Sequence, residues 1–171
     1  MSAADARLFR ALFEAEFTYV WHTLRRLGIA ESDRRDLAQE VFVIVYQKLG
    51  EFDRTRRVRP WLFGIAYRIA LRYRSLARHK GEILGEVEAP ASDEPLELTL
   101  ERERAALVHR AIEGIELHRR AVFVLAEIDE LTVPEIAQAL EIPPNTAYSR
   151  LRLARQDFEM AVAELTAKDR E

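Results

Sequence analysis

The chain has no cysteine. That excludes disulfides, zinc–thiolate sites and thiol nucleophiles together, and it agrees with a reducing compartment. Proline and glycine are scarce, six of each in 171 residues, so neither a collagen-like nor a low-complexity disordered chain fits. No apolar run reaches the roughly 18 residues a transmembrane helix needs, so no membrane insertion is expected. The opening stretch MSAADARLFRALFEAEF mixes acids with apolar residues and lacks the apolar core of a signal peptide. Cytoplasmic residence is therefore expected. Period-two alternation of any length is missing too, which leaves no strand signal. The four histidines, His22, His79, His109 and His118, have no metal-ligand spacing, and no glycine-rich phosphate loop occurs. Catalysis, a metal and a cofactor are accordingly not expected.

What is present is a third of charged residues, half of hydrophobic ones, and a net charge of −3 that conceals segregation. From Arg54 to Lys80 there are nine Lys or Arg and no acid; from Gly81 to Glu101 there are seven Asp or Glu and no base. From Ile142 to Gln156 there are three arginines and no acid. Blocks of one sign point to interaction surfaces, because a merely solvated surface mixes signs.

Apolar residues at helical spacing (Leu8, Leu12, Phe13, Phe17, Val20, Trp21, Leu24, Leu27) predict a first helix from about Asp5 to Leu27, ended by Gly28. A second is expected from Ser32, as N-cap, to Gly50. A third opens near Pro60, whose missing N–H is harmless in a first turn. Lys80 to Pro95, with two glycines and two prolines among acids, reads as a linker. Further helices are expected at about Leu96–Ile115, His118–Asp129, Val133–Leu140 and Asn145–Leu165. The fold class is all-α: two small helical domains, residues 5–79 and 96–168, joined by an acidic linker at 80–95.

LTVPEIAQALEIPPNTAYSRLRLAR has the form of a helix-turn-helix. Ile136, Ala137 and Leu140 face inward, Ile142 plugs the turn, and Ala147 and Leu151 bury the second helix. Pro143–Pro144 enforces the break. Asn145 or Thr146 stands near the second helix's cap, and Asn145, Thr146, Tyr148, Ser149, Arg152 and Arg155 face outward. Short hydrogen-bonding side chains near the N-terminus, then arginines, suit a helix that enters the major groove of duplex DNA.

On the second helix Leu37, Ala38, Val41, Ile44, Val45 and Leu49 share one side, while Asp36, Gln39, Glu40, Val43 and Gln47 share the other. A valine among amides and carboxylates suits docking to a protein. On the third helix Leu62, Ile65, Ala66, Ile69, Ala70, Tyr73, Leu76 and Ala77 form the expected core stripe. Trp61, Arg68, Arg72 and Ser75 lie on another side, flanked by Tyr67, Arg74 and Arg78. Arginines interleaved with aromatics, with Arg56, Arg57 and Arg59 just upstream, make a platform for single-stranded nucleic acid.

In order along the chain, RRDLAQEVFVIVYQKLGEFD, RPWLFGIAYRIA and HRRAVFVLAEIDELTVPEIAQALEIPPNTAYSRLRLAR resemble the region 2 and region 4 patterns of one family. This is the sigma-70-type initiation factors of bacterial RNA polymerase, in their small extracytoplasmic-function group. The resemblance covers nearly the whole chain. It implies an alternative sigma factor that binds core RNA polymerase, recognises −35 and −10 promoter elements and promotes strand opening. It places Asp36, Gln39, Glu40, Val43 and Gln47 on the polymerase-docking stretch. Arg56, Arg57, Arg59, Trp61, Tyr67, Arg68 and Arg72 fall on the segment that holds the single-stranded −10 element. Asn145, Thr146, Tyr148, Ser149, Arg150, Arg152 and Arg155 fall on the helix that meets the −35 duplex. It also implies an anti-sigma factor as partner, and a linker that passes through the RNA exit path. Three departures stand out. Arg68 and Arg72 replace the Asn and Asp of many members, which favours phosphate contacts. Glu141 occupies a turn position that is usually Gly, and no proline precedes His118.

A regulator that binds duplex DNA without polymerase would leave the Arg54–Lys80 block unexplained. A sigma mimic that only sequesters an anti-sigma factor would have no use for the basic residues.

Overall fold

A computed structural model describes residues 3–80 and 96–168. Among the described residues there are seven α-helices and no strand: α1 (Ala3–Arg26), α2 (Glu31–Lys48), α3 (Val58–Lys80), α4 (Leu96–Gly114), α5 (Leu117–Glu127), α6 (Val133–Leu140) and α7 (Pro144–Lys168). A short 3-10 turn, Leu49–Glu51, follows α2. The all-α expectation holds. The expected linker, beyond Lys80, lies outside the described residues.

Helices α1, α2 and α3 pack on one another, and α4, α5 and α6 pack around α7. The first group is built on the expected residues: Val20 and Leu24 from α1 with Leu27 just after it, Ala38, Val41 and Val45 from α2, and Leu62, Ile65, Ala66, Ile69 and Ala70 from α3 are buried. Phe9, Phe13 and Phe17, spaced by one turn, close around Phe42. Leu76 departs from the expected stripe and is 56% exposed. At this end of α3 the buried side has narrowed to Tyr73 and Ala77, one turn apart, and Leu76 stands at its edge.

Two caps differ from expectation. Ser32 lies inside α2, whose N-cap is Ala30 with no side-chain hydrogen bond. Asn145 and Thr146 lie in the first turn of α7, which begins at Pro144 and whose Ala147 N–H reaches back to the Pro143 carbonyl at 3.1 Å. Proline at the first helical position needs no N–H partner and brings its φ already set. By contrast, α6 carries a built start: the Glu135 carboxylate accepts from the Thr132 N–H at 2.8 Å and from its hydroxyl at 2.7 Å. These bonds, the backbone one first, hold the Glu135 carboxyl below the usual carboxylate range.

The two helix groups share one continuous hydrophobic core. Its polar centre is Arg120 on α5, 2% exposed. The guanidinium Nε and Nη2 donate to the Ile115 carbonyl at 3.0 and 2.9 Å, Nη2 also to the Glu113 carbonyl, and Nη1 to the Arg26 carbonyl at 3.4 Å. Arg120 thus satisfies orphan carbonyls where α1 and α4 end, the groups every helix C-terminus leaves unpaired. Gly28, at φ 84°, makes room for it: a Cβ there would stand 2.7 Å from Arg120 Nη1. Tyr19 on α1 donates to Asp129, just after α5, at 2.5 Å. Burial and then the neighbouring carboxylate raise the Tyr19 phenol well above its ordinary value.

Candidate nucleic-acid interface

The basic loop between α2 and α3 is held by its own residues. The Asp53 carboxylate accepts from the Thr55 N–H at 3.0 Å and from its hydroxyl at 2.7 Å, which keeps its carboxyl below the usual range. Arg56 stands 3.6 Å from Asp53. Arg59 donates to Glu16 at 2.8 Å and lies over the Tyr19 ring, 4.9 Å from its centroid. Arg57 comes within 3.9 Å of Glu135 on α6.

Beyond the loop, Trp61 is half-buried and stacks on Phe52, ring centroids 4.4 Å apart. Phe52 was not among the expected site residues; only its closeness to Trp61 in the sequence hinted at it. Trp61, Phe52, Arg56, Arg57 and Arg68 line one cleft, whose facing wall carries Glu135, Gln138 and Glu141. Arg68 donates to Glu141 at 3.1 Å. Arg72 is exposed, yet its Nη2 meets both Glu40 oxygens at 2.6 Å, so it ties the α3 face to the α2 face.

Tyr67 corrects an expectation. In place of an exposed flank residue it is 5% exposed, with its hydroxyl 2.6 Å from His118 Nδ1 and the Arg150 guanidinium beside it. Burial raises its phenol, and Arg150 works against that rise. The physical reason is a second buried side on α3, including Phe63, Gly64 and Tyr67, where the α4–α7 group packs.

On α2, Asp36, Gln39, Val43 and Gln47 of the side expected to dock are exposed, and Glu40 is half-buried against Arg72. Val43 is 54% exposed, and Tyr46 beside it is also exposed. An apolar centre ringed by polar groups has the make-up of a protein contact.

On α7, buried Ala147, Leu151 and Ala154 hold the helix against its neighbours. Asn145, Tyr148, Ser149, Arg152 and Arg155 are exposed, and Thr146 is half-buried. The Ser149 hydroxyl donates to the Thr146 carbonyl at 3.1 Å, and Arg155 Nε donates to Glu127 at 2.8 Å. Arg150 is half-buried and turned towards Tyr67, away from this row. The turn before α7 has a left-handed Glu141, φ 56° and ψ 45°, where glycine would be easier.

The family model for sigma-70 region 2 matches residues 12–79, and that for sigma-70 region 4 matches residues 105–158. The chain is 28% identical over 163 residues to the RNA polymerase sigma factor NccH of Alcaligenes xylosoxydans xylosoxydans, covering 88% of this chain and 84% of that one. It is 27% identical over 170 residues to the ECF RNA polymerase sigma factor SigL of Mycobacterium tuberculosis, covering 96% and 94%. It is 28% identical over 149 residues to the ECF RNA polymerase sigma-E factor of Escherichia coli K12, covering 80% and 78%. Among solved structures it is similar to CnrH in complex with the cytosolic domain of CnrY, with a TM-score of 0.63, 26% identity, and 95% and 90% coverage. The sigma factor RpoE of Bartonella quintana, solved with the anti-sigma factor NepR, shares the fold at a TM-score of 0.65 and 19% identity, with 88% and 96% coverage.

Proposed function

Because the chain belongs to the sigma-70 family, as an ECF sigma factor acting with RNA polymerase in promoter recognition and transcription initiation, we propose how its parts divide that work. Residues 5–79 form the unit that docks core polymerase and holds the opened −10 strand. Residues 96–168 form the unit that meets the −35 duplex, and residues 80–95 tether the two. Phosphodiester chemistry is left to the polymerase, and this chain supplies binding and orientation.

On the first unit, Asp36, Gln39, Val43 and Gln47 carry polymerase docking, with Glu40 held in place by Arg72. The convergence of Arg56, Arg57 and Arg68 on the stacked Trp61–Phe52 pair carries the strand-binding reading. Guanidinium groups follow phosphates, and an aromatic ring accepts an unpaired base whatever its identity. With arginine at 68 and 72, this face grips backbone more than it reads bases. Arg59, occupied by Glu16 and Tyr19, contributes to the field of the loop. On the second unit Asn145, Thr146, Tyr148, Ser149 and Arg152 form the groove-facing row, with Arg155 towards the phosphates. An anti-sigma factor is the regulating partner; the solved neighbour RpoE was captured with one.

The test uses purified full-length chain, core polymerase and a promoter from start-site mapping after overexpression. The chain should bind core polymerase and direct initiation. Val43→Arg should weaken polymerase binding tenfold or more, about 1.4 kcal/mol per tenfold, while duplex −35 binding stays unchanged. Failure of the wild-type chain to bind core polymerase refutes this reading.

A further inference from the structure

Helix α6 lies across α3 at the arginine face just described. The approach is as close as backbone allows. At Gly64 an added Cβ would collide with the Ala139 carbonyl oxygen, a backbone atom that cannot swing aside. Flanking this contact are two ion pairs at the same crossing: Arg68 on α3 with Glu141, just after α6, at 3.1 Å, and Arg57, just before α3, with Glu135 on α6 at 3.9 Å. Glu135 is anchored through its other oxygen by Thr132, which fixes its carboxylate towards the cleft. Glu141 holds an unfavourable left-handed backbone for a residue with a Cβ. Glycine would relieve the backbone there, but only a side chain can supply an anion to Arg68.

We propose that α6 is an internal stand-in for the −10 strand: Glu135 and Glu141 occupy the anion positions of Arg57 and Arg68, so the closed chain and the single strand compete for one face. The inference rests on the strand-binding reading of α3. Carboxylates and phosphates make the same charge-assisted bonds to guanidinium, and both cannot hold Arg68 at once. Binding of a strand therefore requires α6 to leave Gly64. Departure of the α4–α7 group also uncovers Tyr67, which stands buried against His118 and Arg150.

The natural absence of cysteine permits a clean test. Full-length chain carrying Thr18→Cys and Gln156→Cys, both exposed, is labelled with a donor–acceptor dye pair that reports the distance between the two helix groups. Binding of a short fluorescent oligothymidine strand is measured on the same proteins. Two further substitutions each suit their local backbone and so should leave helix content intact: Gly64→Ala within α3 and Glu141→Gly at the left-handed position. Glu141→Gly should lengthen the distance and raise strand affinity about two- to fivefold, the range of an exposed ion pair. Gly64→Ala should do more, about tenfold, because it removes the backbone contact itself. An unchanged distance in both variants overturns the closure. Opening without gain in strand affinity overturns the competition while leaving strand binding itself standing. Absence of strand binding by every form would strike down the reading of α3, and the competition with it.

Discussion

Arg120→Met removes the polar centre of the shared core, and its effect can be worked out from what Arg120 touches. The side chain is buried among carbonyls and, among the described residues, no carboxylate is in hydrogen-bonding contact with it. Burial first, and then the Arg74 guanidinium, push its pKa down to about 10, with Glu113 and Glu116 opposing. Against an ordinary value of 12.5, this disfavours the charged form by about 3–4 kcal/mol at roughly 1.4 kcal/mol per pKa unit. The opposing gain is larger. Hydrogen bonds from a charged donor are worth about 1.5–3 kcal/mol each, and Arg120 reaches three carbonyls on two helix ends. Methionine fills the volume and relieves the charge, but it cannot pair those carbonyls. A net loss of about 2–4 kcal/mol follows, well above the cost of a volume-conserving apolar swap. Urea denaturation of the full chain should show this loss as a lower midpoint with an unchanged slope.

The sign of the pH dependence adds a second check. Above pH 10 the folded wild type sheds the Arg120 proton before the unfolded chain does, so this residue makes wild-type stability rise with pH. The gap between wild type and Arg120→Met should therefore widen above pH 10. A variant as stable as wild type at pH 7 would mean that relief of charge burial outweighs the orphaned carbonyls, and the reasoning fails.

Tyr19 titrates in the opposite sense. Its raised phenol keeps a proton in the folded chain that the unfolded chain loses above its ordinary value of 10.0. Its contribution is complete below pH 10 and is lost as pH rises, by up to about 1.4 kcal/mol per pH unit. Tyr19→Phe should show a shallower fall than wild type above pH 10; parallel curves would contradict the raised phenol. Trp61→Ala should impair promoter opening, read by permanganate reactivity of unpaired thymines, more than closed-complex binding. Equal loss in both assays would make Trp61 a packing residue. Arg152→Ala should weaken binding to the −35 duplex by about 1–3 kcal/mol if it reads a base; retention of full affinity in a titration would remove it from the contact row.

Local periodicity made the helices legible. The range Val133–Leu140 agrees at both ends, because Pro134, Glu135 and the Pro143–Pro144 break are all local signals. Boundaries failed where a cap was inferred from residue type alone. Ser32 has the right chemistry for an N-cap, but Asp33 and Arg34 already send their N–H groups to the Ala30 carbonyl at 3.1 Å, so the helix starts earlier. Wheels assume one buried side per helix, and α2 obeys. Helix α3 does not, since Phe63, Gly64 and Tyr67 are covered by helices far away in the sequence. No periodicity within α3 encodes that covering. The charge blocks were visible, but not the pairing of Arg68 with Glu141 across 73 residues. Glu141 did stand out as a departure at a turn position. Its left-handed backbone explains why glycine would suit that place, and its carboxylate on Arg68 shows what glycine would lose.

One core shared by two helix groups also sets a thermodynamic toll on every partner that needs them apart. Such a partner binds only the separated fraction of the chain, so its apparent Kd is the intrinsic Kd divided by that fraction. Each ~1.4 kcal/mol by which the shared core favours closure weakens the measured affinity tenfold. A change at Arg120, Tyr19 or Gly64 would therefore retune affinity for any such partner by moving the closed fraction alone.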